Sequence, residues 1–252
     1  MLLTWLGALV VGLSLGLLGS GGSILTVPIL VYVVGESPKL AVAASLAIVG
    51  IIALVGAASY ARKRLVDWRF VLYFGLPGIV ATYAGAWVSH FVSGAVQLIV
   101  FAVIMGLASW TMLRSAPPAE GAPQRHFVWL LAAGVGVGLI TGFVGVGGGF
   151  LFVPALVILG GLPMHRAVGT SLAVIALNAA SGFIGHYLQL SAANTPIPWS
   201  GIGMFAVIGT AGSLAGHVVG SRLAHTSLRR VFGVLLIAMC GFVLWRTLPQ
   251  VL

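Results

Sequence analysis

The feature that most constrains this chain is a glycine-broken apolar stretch that occurs twice. Residues 12–31, GLSLGLLGSGGSILTVPILV, return 126 positions later as residues 138–157, GLITGFVGVGGGFLFVPALV, with 11 of 20 positions identical. The register holds into AVAASLAI (41–48) against AVGTSLAV (167–174), where 5 of 8 match. The chain is therefore an internal duplication, and each half must solve the same packing problem with the same elements. In both copies an apolar helix runs into a glycine cluster and continues as a short apolar helix bearing Pro28 or Pro154.

Composition decides the solvent. With 60% hydrophobic and 6% charged residues, the chain is far from a soluble domain, in which about a quarter of residues are charged. Its long charge-free runs read as membrane spans. Segments 40–61, 70–89 and 95–113, then 167–188, 200–221 and 231–245, are the expected spans. The blocks 1–35 and 127–164 are too long for one straight span and short for two, which the central glycines resolve as a bend. The opening MLLTWLGALVVG has no Lys or Arg, so it lacks a signal-type basic region and reads as the first membrane element. The halves are divided as a first membrane repeat 1–113, a cytoplasmic linker 114–126 and a second membrane repeat 127–252.

Charge sets the way each block is folded. The net charge of +9 rests on twelve Lys and Arg, mostly between apolar runs, and speaks for membrane orientation, not for nucleic acid. If each glycine-broken block crossed the membrane once, the cations would divide seven against five. If each block returns to the side it entered, ten fall together and only Lys39 and Arg246 lie opposite. The second arrangement has the asymmetry of the positive-inside rule. The expected fold is an all-α polytopic membrane protein of two inverted repeats, each a glycine-broken re-entrant helical hairpin plus three transmembrane helices. Both termini are then extracytoplasmic. Inverted repeats with interrupted helices are a transporter architecture, with the substrate at the paired breaks.

The breaks supply the chemistry. A half-helix that starts inside the membrane presents unpaired N–H groups and the positive end of its dipole, and glycine lets a ligand approach that backbone. Ser20, Gly21, Gly22 and Ser23, with Val146, Gly147, Gly148 and Gly149, are thus candidate anion contacts near the midplane. A bulky side chain at Gly22 or Gly148 is expected to block substrate and spare the fold. Gly12, Gly16, Gly138, Gly142, Gly212, Gly216 and Gly220 suit close helix packing instead. Ser45 and Ser171 form the next symmetric polar pair, with Thr170 beside the second, and each hydroxyl could equally bond back to its own helix. Asn178 lies two turns after Ser171 on the same face, and its counterpart Ile52 is apolar. The spans hold no Asp or Glu, which leaves His186 and His217 as the candidates for proton coupling. A single cysteine, Cys240, excludes a disulfide or thiolate cluster, and neither metal nor cofactor is expected.

GLLGSGGSILTVPIL, GFVGVGGGFLFVPALV and AVGTSL (167–172) together resemble the sulfite exporter TauE/SafE family of bacterial and archaeal membrane proteins, over essentially the whole chain. That resemblance implies transport of small sulfur-containing anions or organic acids, such as sulfite or sulfonates like sulfoacetate, commonly outward across the cytoplasmic (inner) membrane. The first half departs from the second, with Ala43-Ala44-Ser45 in place of Gly169-Thr170-Ser171. Expected partners are a small anionic substrate and the lipid bilayer, with a homo-oligomer allowed and no nucleic acid. A passive anion channel is the alternative. An intramembrane serine hydrolase using Ser20 or Ser23 fits less well, because the second break carries Val146 and Gly149 at those positions. The chain is read as a transporter and not as an enzyme.

Overall fold

The computed structural model describes residues 2–18, 21–114, 127–220, 225–247 and 249. Among these residues every regular element is helical. The first half forms α1 (Leu2–Leu18), α2 (21–34), α3 (Pro38–Arg62), α4 (Trp68–Ser89) and α5 (Gly94–Arg114). The second forms α6 (Phe127–Val144), α7 (Gly149–Ile158), α8 (Met164–Ala192), α9 (Trp199–Gly220) and α10 (His225–Thr247). Pro38–Arg62, Trp68–Ser89, Met164–Ala192 and Trp199–Gly216 are each long and apolar enough to cross a membrane. The six spans read from the sequence fall on α3, α4, α5, α8, α9 and α10. The basic turn before the last span is shorter than expected, since Arg229 and Arg230 already lie on α10. Most of the linker lies outside the described residues.

The halves interlock reciprocally. α1 packs along α9 and α4 along α6; α3 crosses α8, α5 lies on α10, and residues 21–25 meet α7. Exchanging the halves maps each of these contacts onto itself or onto its mate. The core is the α3–α8 pair, whose apolar windows are 67% buried, against 33% for α9. Large side chains such as Val80, Val207 and Trp245 point outward, as they do when lipid and not water is the surrounding solvent.

Glycine makes the two packing interfaces possible. A Cβ built on Gly142 would overlap Thr82 O and lie 2.9 Å from Ala86 N, and one on Gly85 would overlap Leu139 O. In the mate interface a Cβ on Gly12 would overlap Gly209 O, and one on Gly16 would overlap Ser213 O and lie 2.9 Å from Gly216 Cα. Backbones therefore touch directly, the packing mode that holds helices together when the hydrophobic effect cannot. The packing role expected of Gly12, Gly16, Gly138, Gly142, Gly212 and Gly216 is the one seen.

Element ends are duplicated as well. After α2, Gly35 takes φ +87° and Glu36 N–H bonds Leu30 O at 3.0 Å; after α7, Gly161 takes φ +63° and Leu162 N–H bonds Leu156 O at 3.3 Å. In both stops the residue after a left-handed glycine bonds a carbonyl six residues back, one residue further than in the Schellman glycine cap. Arg64 and Asn194 likewise both adopt positive φ after α3 and α8. Pro77 explains a local widening of α4: its ring excludes the carbonyl four residues back, and the helix opens into π geometry over Val71–Gly75. α2 is irregular around Pro28, passing from 3-10 (Gly21–Leu25) through α (Thr26–Ile29) to π (Leu30–Val34). Its far end lies back beside α1, because a Cβ on Gly7 would come within 2.7 Å of Ile29 Cγ2.

Candidate functional site: the helix breaks

The second break is built by glycine. Between α6 and α7, Gly145 has φ +79° and Gly147 and Gly148 each have φ +65°, a region that costs other residues about 1–2 kcal/mol apiece. These three left-handed residues interrupt the helix between Val144 and Gly149, and Gly148 serves as the N-cap of α7. Among the described residues, no backbone acceptor receives the N–H of Val146, Gly147 or Gly148. α7 therefore begins with the unpaired donors and positive dipole end expected of an interrupted helix.

The opposite end, the carbonyl terminus of α6, is satisfied by three side chains from three helices. His186 Nε2–H of α8 donates to Gly142 O at 2.8 Å, Gln97 Nε2–H of α5 donates to Phe143 O, and Ser45 Oγ–H of α3 donates to Gly145 O at 2.5 Å. Buried carbonyls without partners are costly in a membrane. These donors also oppose the negative end of the α6 dipole, so the field at the break is set mainly by the N-terminus of α7. No Lys, Arg, Asp or Glu occurs in 70–89, 127–144 or 167–192.

The first break lies partly outside the described residues, Ser20 among them. Gly21 and Gly22 open the 3-10 turn Gly21–Leu25, in which Ser23 is fully buried. This turn packs against α7, so the two breaks adjoin at the interface between the halves. Val146 is fully buried, and a Cβ on Gly147 would lie 2.7 Å from Val49 Cγ1 and 3.4 Å from Ile175 Cγ2. The second break is thus seated on both central helices.

The remaining candidates separate. Ser45 belongs to the second break as a carbonyl donor, whereas its mate Ser171 bonds back to Val168 O at 2.8 Å within its own helix. Thr170 Oγ1 accepts from Asp67 N–H at 3.0 Å, which ties α8 to the loop after α3. Asn178 is fully buried with both Nδ2 and Oδ1 free of any partner among the described residues. His217 lies on α9, its side chain outside what the structure describes. Sequence reading missed Gln97, Thr26, Thr82 and Thr141, all buried polar side chains in apolar helices. Their only signal was polarity inside a span, which many back-bonded threonines share.

One expectation needs correction. A side chain at Gly148 does not spare the fold: its Cβ would overlap Thr141 Oγ1 and lie 2.8 Å from Phe152 Cε2, at a positive φ. The glycine is required by the backbone before any ligand is considered.

Residues 4–243 match the model of the family described as sulfite exporter TauE/SafE. A "Probable membrane transporter protein" of Xylella fastidiosa (strain 9a5c) is 34% identical over 246 residues, covering 94% of this chain and 92% of that protein. Proteins with the same description from Methanocaldococcus jannaschii and Bacillus subtilis are 27% and 26% identical, over 71% and 72% of this chain and 70% and 76% of their own lengths. No solved structure matches the chain. The chain belongs to the sulfite exporter TauE/SafE family and is an integral membrane transporter.

Proposed function

We propose that this TauE/SafE family member exports a small sulfur-containing or organic anion, such as sulfite or a sulfonate, bound at the half-helix N-termini near the membrane midplane. The observation that carries the reading is the contact between the turn Gly21–Leu25 and α7, which brings the two breaks together between the halves. A helix N-terminus carries about half an elementary charge. That is enough to hold an anion in a low-dielectric site and weak enough to release it, which a buried Arg would not allow. In this reading Ser20, Gly21, Gly22 and Ser23 face Val146, Gly147, Gly148 and Gly149 across the pseudo-two-fold axis. The halves insert as inverted repeats, each hairpin entering and leaving on one side of the cytoplasmic membrane. Repeat boundaries at 113 and 127 place the linker inside and both termini outside.

Topology is tested with reporter fusions at Glu120 and at Leu252. The expected outcome is opposite sides, cytoplasmic for Glu120; the same side for both would remove the inverted repeat.

Binding is tested by melting the purified protein with sulfite, sulfate, thiosulfate, sulfoacetate and simple carboxylates. An anion held only by the native state at a hundredfold excess over its Kd should stabilise by about 2.7 kcal/mol. A melting temperature unmoved by every anion would sink the anion reading. Vesicle flux at several pH values then reads proton coupling. His186→Gln keeps an amide donor for Gly142 O, so a flattened pH profile in a folded variant would assign coupling to His186. An unchanged profile would leave that residue its capping bond alone.

A further inference from the structure

Six buried side-chain atoms make no hydrogen bond among the described residues: Thr26 Oγ1, Thr82 Oγ1, Gln97 Oε1, Thr141 Oγ1 and both amide atoms of Asn178. Buried polar atoms are nearly always paired, so a concentration of unpaired ones at one place calls for a reason. Four of the six gather where α4, α6 and α8 meet beside the second break. A Cβ on Gly78 would lie 2.6 Å from Asn178 Nδ2 and 3.0 Å from its Oδ1, so the amide sits directly over α4. One turn further along both helices the relation reverses, and Thr82 Cγ2 lies 2.9 Å from a Cβ on Gly182. Asn178 and Thr82 therefore occupy one interface, a helical turn apart. α6 lies alongside in parallel register, Gly138 against Gly78 and Gly142 against Thr82. From α6, Thr141 aims its hydroxyl at Gly148, the N-cap of the ten-residue α7. All three side chains are fully buried.

The mate interface lacks this set. Where Gly78 meets Asn178, Gly209 meets Ile52 Cδ1 at 2.5 Å from its built Cβ. The counterpart of Thr141 is Leu15, and that of His186 is Tyr60. Ser213 stands where Thr82 does, so the mate place keeps one hydroxyl but has Ile52 and Leu15 where the second-break side has the unpaired Asn178 and Thr141.

We infer that the substrate is recognised on one side only, by Thr82, Thr141 and Asn178 against the N-terminus of α7, and that the ligand is a singly charged oxyacid retaining one hydroxyl or protonated oxygen. This rests on the anion-transport reading above and adds to it the binding side chains and the protonation state of the ligand. The two hydroxyls, the amide Nδ2 and the α7 N–H groups all donate to anionic oxygens. Asn178 Oδ1 can only accept, so the ligand must supply one donor hydrogen to it. With no charged side chain on these helix segments, a second negative charge has nothing to compensate the loss of its hydration.

The test compares parent protein with Thr82→Val, Thr141→Val, Asn178→Leu and, as a control, Ser171→Ala, using sulfite, 2-hydroxyethanesulfonate and sulfate as probes. Melting is followed with and without each probe. Sulfite titrated from acid to alkaline pH should bind the parent best as the monoanion, 2-hydroxyethanesulfonate should bind independently of pH, and sulfate should bind least. Each Thr→Val change should weaken binding by about ten- to a hundredfold, the worth of one hydrogen bond to a charged group, and Asn178→Leu should weaken it more. Because these atoms have no partner among the described residues, the three variants should melt at or above the parent temperature without a probe. A purely structural role would lower it. Ser171→Ala should bind as the parent does. If the parent binds a probe and all three variants bind it equally well, the assignment of these residues is overturned and the transport reading stands. If sulfate binds as tightly as the monoanions, the charge argument is overturned. If the parent binds no probe, the anion reading itself falls and this inference with it.

Discussion

Gly142→Ala should leave little folded protein, although it adds a single methyl group. The new Cβ would overlap Thr82 O and crowd Ala86 N, both backbone atoms of α4 that cannot rotate away. Overpacking a tight core costs about 1–3 kcal/mol and sometimes more; with backbone on both sides of the contact the loss should reach at least about 3 kcal/mol. Gly16→Ala should behave alike in the mate interface, where Ser213 O occupies the corresponding place. Gly136→Ala, on the outer face of the same helix α6, has nothing within 4 Å of its Cβ. It should be neutral or stabilising by up to about 1 kcal/mol, because alanine is the better helix former. Thermal unfolding of detergent-purified variants decides the matter. Equal melting temperatures for Gly142→Ala and Gly136→Ala would mean that the α4–α6 contact is not as close as described.

Gly148→Ala should abolish transport and also cost stability. Two penalties add: left-handed backbone on a residue with a Cβ, about 1–2 kcal/mol, and the overlap with Thr141 Oγ1. Adding Thr141→Ala removes the second penalty and leaves the first, together with the 2.8 Å approach to Phe152 Cε2. The double variant should therefore melt above Gly148→Ala alone, a coupling of the size found between residues in contact. Transport should stay absent in it, since the hydroxyl and the N-cap geometry of α7 are both altered. Additive effects on melting would show that Thr141 and Gly148 do not touch. Normal flux in either variant would remove the α7 terminus from the transport path.

Much of the architecture is legible in the order of the residues. The duplication, the helices on which the six expected spans fall and both break positions can be read there because each depends on local properties: apolar run length, glycine clusters and repeat register. The packing glycines are legible for the same reason, being spaced four apart on helices. The duplicated stops at Gly35 and Gly161 stand 126 residues apart and follow from the same repeat register. The site is legible only in part. The glycine breaks and Asn178 stand out as irregular or polar inside apolar helices. The split between Ser45 and Ser171 does not, since one hydroxyl finds a carbonyl 100 residues away and the other finds one three residues back.

The sequence by itself determined that the chain lives in a membrane, that it is two copies of one plan, and where each copy must break. Hydrophobicity and backbone freedom are properties of residues, and they act whatever the neighbours. Only the tertiary structure decided which carbonyls His186, Gln97 and Ser45 would cap, that the two breaks adjoin, and that Thr82, Thr141 and Asn178 would share one unpaired polar place while the mate place has Leu15 and Ile52 at two of the three positions. Those outcomes depend on which helices cross and at what register. Crossing is set by the fit of glycine faces over the whole interface, a sum that no single stretch of sequence contains.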